Sequence, residues 1–196
     1  MAGFGAKQKA VGQSAGNESS PSGIPVQIGR VDFSDKSVVL ERLDAGQKET
    51  TGLKHEVNYT VTTDGKVWRM SGETGSVNSS AIPSGLDGSY SYHNHPTAKS
   101  WFSFSAEDVR FFFESGAAYS KASDQMYEYV MQRTQETLAV EPEIVYHRFK
   151  ELYSGDVMEL SFDEKIDIDR DGFYETMIRL SKEYHFFYER VKLNDG

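Results

Sequence analysis

Residues 57–70 constrain the fold more than any other stretch. Val57, Tyr59 and Val61 alternate with Asn58, Thr60 and Thr62, Asp64-Gly65 follows, and Val67-Trp68-Arg69-Met70 resumes the apolar run. In a strand, alternation by two sends every second side chain to one face. An Asp-Gly pair between two such runs supplies the backbone of a tight turn. The stretch therefore predicts a β-hairpin with one face toward a core. Two strands alone are marginal in water, so the hairpin needs more strands and a covering layer. Tyr90–His95 reads as a further strand stopped by Pro96, Val26–Asp32 as a short one, and Met126, Tyr127, Tyr129 and Met131 suggest another.

Helical signals lie between these strands. Ser34 or Asp35 is placed to cap a helix carrying Val38, Val39, Leu40 and Leu43. Ser105-Ala106-Glu107-Asp108 opens a second helix with Val109, Phe112 and Phe113 inside it and Gly116 at its end. Glu141-Pro142 reads as another start, with proline in the first turn. Phe173, Met177, Leu180, Tyr184, Phe187 and Val191 recur at steps of four and three, which predicts one amphipathic helix at the C-terminus. Asp167–Gly172 imitates the start of a calcium loop, but its twelfth position is Ile178 where glutamate is required. The plain reading is a charged turn with Asp171 as helix cap. Strands mixed with helices predict a layered α/β or α+β domain.

Composition removes several function classes. The 196 residues contain no cysteine, which excludes disulfide scaffolds, thiolate metal sites and cysteine nucleophiles. The net charge is −9, which argues against a nucleic-acid partner. The sequence holds no long apolar run, so a membrane span is not expected, and no signal peptide is visible. The expected location is the cytoplasm, or a part of an exported toxin or phage protein. Residues 1–25 are rich in Gly and Ser and read as a flexible tail or linker. Such a start is compatible with a larger parent polypeptide. Residues 26–140 hold the mixed strands and helices, and residues 141–196 read as a helical extension packed on them.

The chemistry concentrates in His93-Asn94-His95-Pro96. The chain has only five histidines, and two of them are spaced to share one face of a strand that proline then ends. Zinc needs a third ligand, and Asp108 is the best placed, in the first helical turn where a carboxylate is favoured. Two imidazoles and one carboxylate leave a tetrahedral position open, as in a catalytic site. Each element alone is weak evidence, since His-x-His occurs by chance and Ser-x-x-Asp is more often a cap. His147 and His185 read as ordinary surface or core-edge residues, and His55, although next to Glu56, faces the opposite side of the strand and is not expected to share a site with it.

The ordered set His-Asn-His-Pro and Phe104-Ser105-Ala106-Glu107-Asp108 resembles the JAMM signature of the JAB/MPN metallopeptidases, particularly their bacterial and phage-type branch. The resemblance covers roughly residues 35–135. It implies a cytidine-deaminase-like mixed β-sheet flanked by helices, with extra helices at the C-terminus. It implies Zn2+ held by His93, His95 and Asp108, with Ser105 supporting the oxyanion of the tetrahedral intermediate. As the cap of its helix, Ser105 cannot fully serve both roles with one proton. The family also uses an upstream glutamate as general base. Glu56 at the start of the Val57 strand ranks first, Glu49 in Glu49-Thr50-Thr51-Gly52 second, and Glu73 third. The implied function is hydrolysis of a peptide or isopeptide bond by attack of zinc-bound water on a protein or peptide substrate. A non-catalytic MPN-like scaffold and a RadC-like protein are the alternatives. Trp101 and Phe102, between the histidines and Asp108, are candidates for a substrate wall or for simple packing.

Overall fold

The computed structural model describes residues 23–72, 81–96 and 103–193. Glu73, Trp101 and Phe102 lie outside the described residues. A mixed seven-stranded sheet runs in the order β1-β3-β2-β4-β5-β6-β7. The strands are β1 (Val26–Arg30), β2 (Val57–Val61), β3 (Lys66–Ser71), β4 (Tyr90–Asn94), β5 (Tyr119–Ser123), β6 (Tyr127–Gln132) and β7 (Phe187–Lys192). The helices are α1 (Lys36–Thr50), α2 (Ala106–Ser115), α3 (Pro142–Leu152), α4 (Met158–Phe162) and α5 (Ile168–Tyr184). The architecture is therefore α/β.

The hairpin forms as its alternation predicts, with β2 and β3 antiparallel from Val57↔Ser71 to Val61↔Val67. Its turn depends on Gly65 at φ +80°, where a Cβ would meet the Val31 carbonyl oxygen. Pairing Tyr59 with Tyr92 and Asn58 with His93 fixes which residues share a face. Val57, Tyr59, Val61 and Tyr92 form one buried cluster with Val39 and Leu43 of α1. The opposite face carries Ala122, Tyr129 and Met131, packed with Val109 and Phe112 of α2, Val145 and Phe149 of α3 and Leu180 of α5. The result is three layers, with α1 on one side of the sheet and α2, α3 and α5 on the other.

Strand β4 pairs antiparallel with β2 but parallel with β5. Parallel neighbours need a crossover, and α2 supplies it. The helix begins near the end of β4 at which the two histidines stand, so the crossover returns Asp108 to them. Asp35 caps α1 and Ser105 caps α2, while Gly116 ends α2 in the left-handed region at φ +68°. Pro142 occupies the first turn of α3, as expected.

The C-terminal segment differs from the expected single helix. Helix α5 stops at Tyr184, His185 turns left-handed, and Phe187–Lys192 becomes β7 on the edge of the sheet. Tyr188 pairs with Met131 and Val191 with Glu128, so Phe187 and Val191 belong to a strand. The free edge of β6 outcompetes helical periodicity there. The cap of α5 is Asp167, not Asp171, which lies inside the helix and pairs with Arg190 at 3.1 Å. Because residues 168–171 are helical, the segment does not form a calcium loop. Among the described residues no helix is long and apolar enough to cross a membrane.

Phe104 joins this core to the histidines. Its side chain is fully buried, 6.0 Å from the His93 ring and 6.1 Å from that of Tyr129, centroid to centroid. Phe104→Ala is expected to cost about 3–5 kcal/mol of unfolding free energy, the usual range for emptying a buried aromatic site. Chemical denaturation of the two proteins measures it.

Candidate metal centre

His93 is the penultimate residue of β4, and His95 lies just beyond it. Both are buried, and the β4–β5 pairing carries on past the strand end through the His95 amide, which donates to the Ser123 carbonyl at 2.7 Å. Their Nε2 atoms stand 3.1 Å apart. Asp108 brings Oδ1 to 3.5 Å from His93 Nε2 and Oδ2 to 3.8 Å from His95 Nε2. One donor atom from each of the three residues falls within 4.8 Å of the others. A tetrahedral zinc with bonds of about 2.0–2.1 Å separates its ligand atoms by about 3.3 Å, so the spacing suits a small divalent cation. The described chain thus brings together the three residues that the sequence nominated as ligands.

The charge states fit a metal ligand set as well. Burial pushes the His93 imidazole down to about 4, against the pull of Asp108, so it is neutral at pH 7. Burial opposes ionisation of Asp108, but His93, His95 and Ser105 outweigh it and hold the carboxyl well below its ordinary range. Neutral imidazole and ionised carboxylate are the forms that bind metal.

Ser105 and Asp108 form a reciprocal capping box. The Ser105 amide donates to Asp108 Oδ2 at 2.8 Å, its hydroxyl donates to the same oxygen at 2.7 Å, and Oγ accepts from the Asp108 amide at 3.2 Å. Oδ2 is thereby anchored while Oδ1 faces His93. The single hydroxyl proton is directed at Asp108, so in this geometry Ser105 caps the helix and orients the carboxylate. His95 lacks such a support: its Nδ1 is buried with no hydrogen-bond partner among the described residues. Its ring instead lies against Tyr129, with centroids 6.0 Å apart. A cavity of about 350 Å3 runs from Ser105 along the first turn of α2, walled by Phe149, Tyr153 and Phe173.

Glu56 and Glu49 separate by face. Glu56 immediately precedes β2 and alternates with Val57, which places it with Asn58 and His93. Burial, and then the negative charge of Asp108, push its carboxyl up to about 8. Glu49 closes α1 on the other side of the sheet, accepting from the Tyr59 hydroxyl at 2.5 Å and pairing with Arg42 at 3.3 Å. His147 and His185 are exposed, on α3 and at the end of α5.

No family model matches the chain, and no curated protein and no solved structure matches it. Fold and site together define an α/β protein with a buried His–His–Asp group able to hold a metal ion.

The Glu56 carboxyl yields a pH prediction. Its ordinary value is 4.5 and its value in the folded protein about 8. Between these the folded state retains a proton that the unfolded chain has lost, so metal-free stability falls as pH rises through that window. Glu56→Gln removes this loss. The metal-free variant should match the unaltered protein near pH 4.5 and melt increasingly above it toward pH 8, as measured by calorimetry at several pH values.

A second prediction concerns Ser105. Its hydroxyl orients the Asp108 carboxylate, and partners that orient a metal-binding group typically contribute about 10–100-fold to affinity. The Ser105 amide bond to Oδ2 survives substitution, so Ser105→Ala should weaken a divalent cation taken up by this group by about tenfold, the lower end, as read by competition with a chromophoric chelator.

Proposed function

We propose that the protein is a zinc-dependent hydrolase of the JAB/MPN kind that cleaves a peptide or isopeptide bond. The observation that carries this reading is the meeting of His93, His95 and Asp108, from two separate elements, with Glu56 in electrostatic reach. Histidines at the end of a central strand and a Ser-x-x-Asp element opening the next helix support it.

Two imidazoles and one carboxylate suit zinc and leave a coordination position open. When bound there, zinc supplies Lewis-acid polarisation and lowers the pKa of water to about 7. The residues of the chain do the rest. His93 and His95 offer ring nitrogens from a buried, aromatic-lined strand end, where water competes poorly. Asp108 offers Oδ1 while Ser105 holds Oδ2. Glu56 accepts the proton of the attacking water and returns it to the leaving amine. A carboxyl poised near the working pH is suited to both transfers. The Ser105 hydroxyl reaches a developing oxyanion only by turning its proton away from Asp108. The expected partner is a protein or peptide substrate, and the net charge of −9 argues against nucleic acid.

The test combines metal analysis with hydrolysis of an internally quenched peptide library and of a lysine-linked ubiquitin-like conjugate. The unaltered protein should carry one zinc and cleave at least one of these. Glu56→Gln should keep its zinc and lose about a hundredfold or more in rate. His95→Ala should lose both. A fully active Glu56→Gln beside an inactive Glu49→Gln would overturn the assignment of the base. Failure to take up zinc would overturn the whole reading.

A further inference from the structure

Asn94 stands between the two histidines, and its side chain does not point to them. It is buried at 5% exposure and reaches across to the start of β2. Its carbonyl oxygen Oδ1 accepts from the Val57 amide at 2.8 Å, and its Nδ2 donates to the His55 carbonyl at 3.0 Å. The orientation of the carboxamide is fixed chemically, because an amide N–H can only donate and a carbonyl can only accept. These two partners flank Glu56 on either side. The Glu56 carbonyl is held from the opposite side by the Gly72 amide at 2.8 Å.

The bonds fill a gap in the sheet. Backbone pairing of β4 with β2 ends at Asn58↔His93, while pairing with β5 continues to Asn94↔Ser123 and the His95 amide. Past His93 the β4 backbone therefore serves β5 alone. The Asn94 carboxamide substitutes for the missing ladder and pairs the buried Val57 amide and the half-buried His55 carbonyl. It also links the element that carries both imidazoles to the residue that carries the carboxylate.

We propose that Asn94 is a positioning residue, which fixes Glu56 relative to His93 and His95 by clamping the peptide groups on both sides of it. This rests on the role proposed above for Glu56. An acid–base group must sit within hydrogen-bond reach of its proton, and a shift of about 1 Å at a catalytic group can cost a hundredfold. With the β2–β4 ladder ended at Asn58↔His93, the backbone alone no longer ties Glu56 to the histidine strand, and a two-point carboxamide does. Leucine or alanine at this position would leave the Val57 amide and the His55 carbonyl without these partners.

The test uses the full chain loaded with zinc, and acetohydroxamate as probe. This small chelator binds zinc and places a proton where a carboxylate beside the metal can accept it. Zinc affinity is read by chelator competition and probe affinity by calorimetry. Glu56→Gln should weaken the probe by about tenfold, the scale of one hydrogen bond to a charged group. Asn94→Ala should keep zinc affinity within about threefold and weaken the probe by a similar factor. The double variant should be no weaker than Glu56→Gln alone, within about twofold, because both changes remove one interaction. Asn94→Thr guards against loss of the fold, since it is β-branched and its hydroxyl serves one of the two partners. It should fall between alanine and asparagine. Additive losses of about a hundredfold, a collapse of zinc affinity in Asn94→Ala, or an Asn94→Thr protein equal to the unaltered one would each overturn the proposal. If Glu56→Gln itself leaves the probe unaffected, the hydrolase reading falls and the role of Asn94 falls with it. If Glu56→Gln weakens the probe and the Asn94 variants do not, only the role of Asn94 falls.

Discussion

The parallel pairing of β4 with β5 is the constraint on which the rest of the molecule depends. Antiparallel neighbours can be joined by a tight turn, but parallel ones cannot. The chain must leave the end of β4, cross a face of the sheet and re-enter at the same end from which β4 began. Helix α2 makes that crossing, so its N-terminus lies near the strand end that carries His93 and His95. The first turn of a helix favours a carboxylate, and Asp108 is there. A topological requirement thus brings two imidazoles and an anion together.

The site then inherits its environment from the layer that α2 helps to build. Phe104 and Tyr129 pack on the imidazoles, and the same side chains belong to the main core. Burial keeps His93 neutral and raises the Glu56 carboxyl, while Asp108 stays ionised because imidazoles and a hydroxyl surround it. Three groups of one site are held in different protonation states by how much water each has lost and which partner each has gained.

Much of this was legible along the chain because it is local. The hairpin showed in its alternation and Asp-Gly turn, the cap of α1 as one of Ser34 and Asp35, the cap of α2 in Ser105, and the end of α2 in Gly116. The meeting of His93, His95 and Asp108 was legible as a candidate, since a strand repeats every two residues and a first helical turn fixes where its acid stands. Strand β5 was not legible. Tyr119–Ser123 is short and polar, and its Lys121 is buried only because Asp44 of α1 and Glu128 of β6 meet it at 2.7 and 2.8 Å. Those partners are remote in sequence, so no local pattern announces them.

The sequence by itself determined which groups are the candidates: two histidines on one strand face, a capped helix with an acid in its first turn, and three glutamates. Only the tertiary structure decided which of them stand together. It set Glu49 on the α1 face with Tyr59 and Arg42, and Glu56 on the face of the histidines, because the register of β2 against β4 fixes both sides at once. It turned Phe187–Lys192 from the helix its periodicity suggested into β7, because β6 offered an unpaired edge. It gave Asn94 its place beside Glu56, which depends on where one ladder ends and another continues. Local chemistry is written in neighbouring residues, whereas register and strand order come from contacts between residues far apart in the chain.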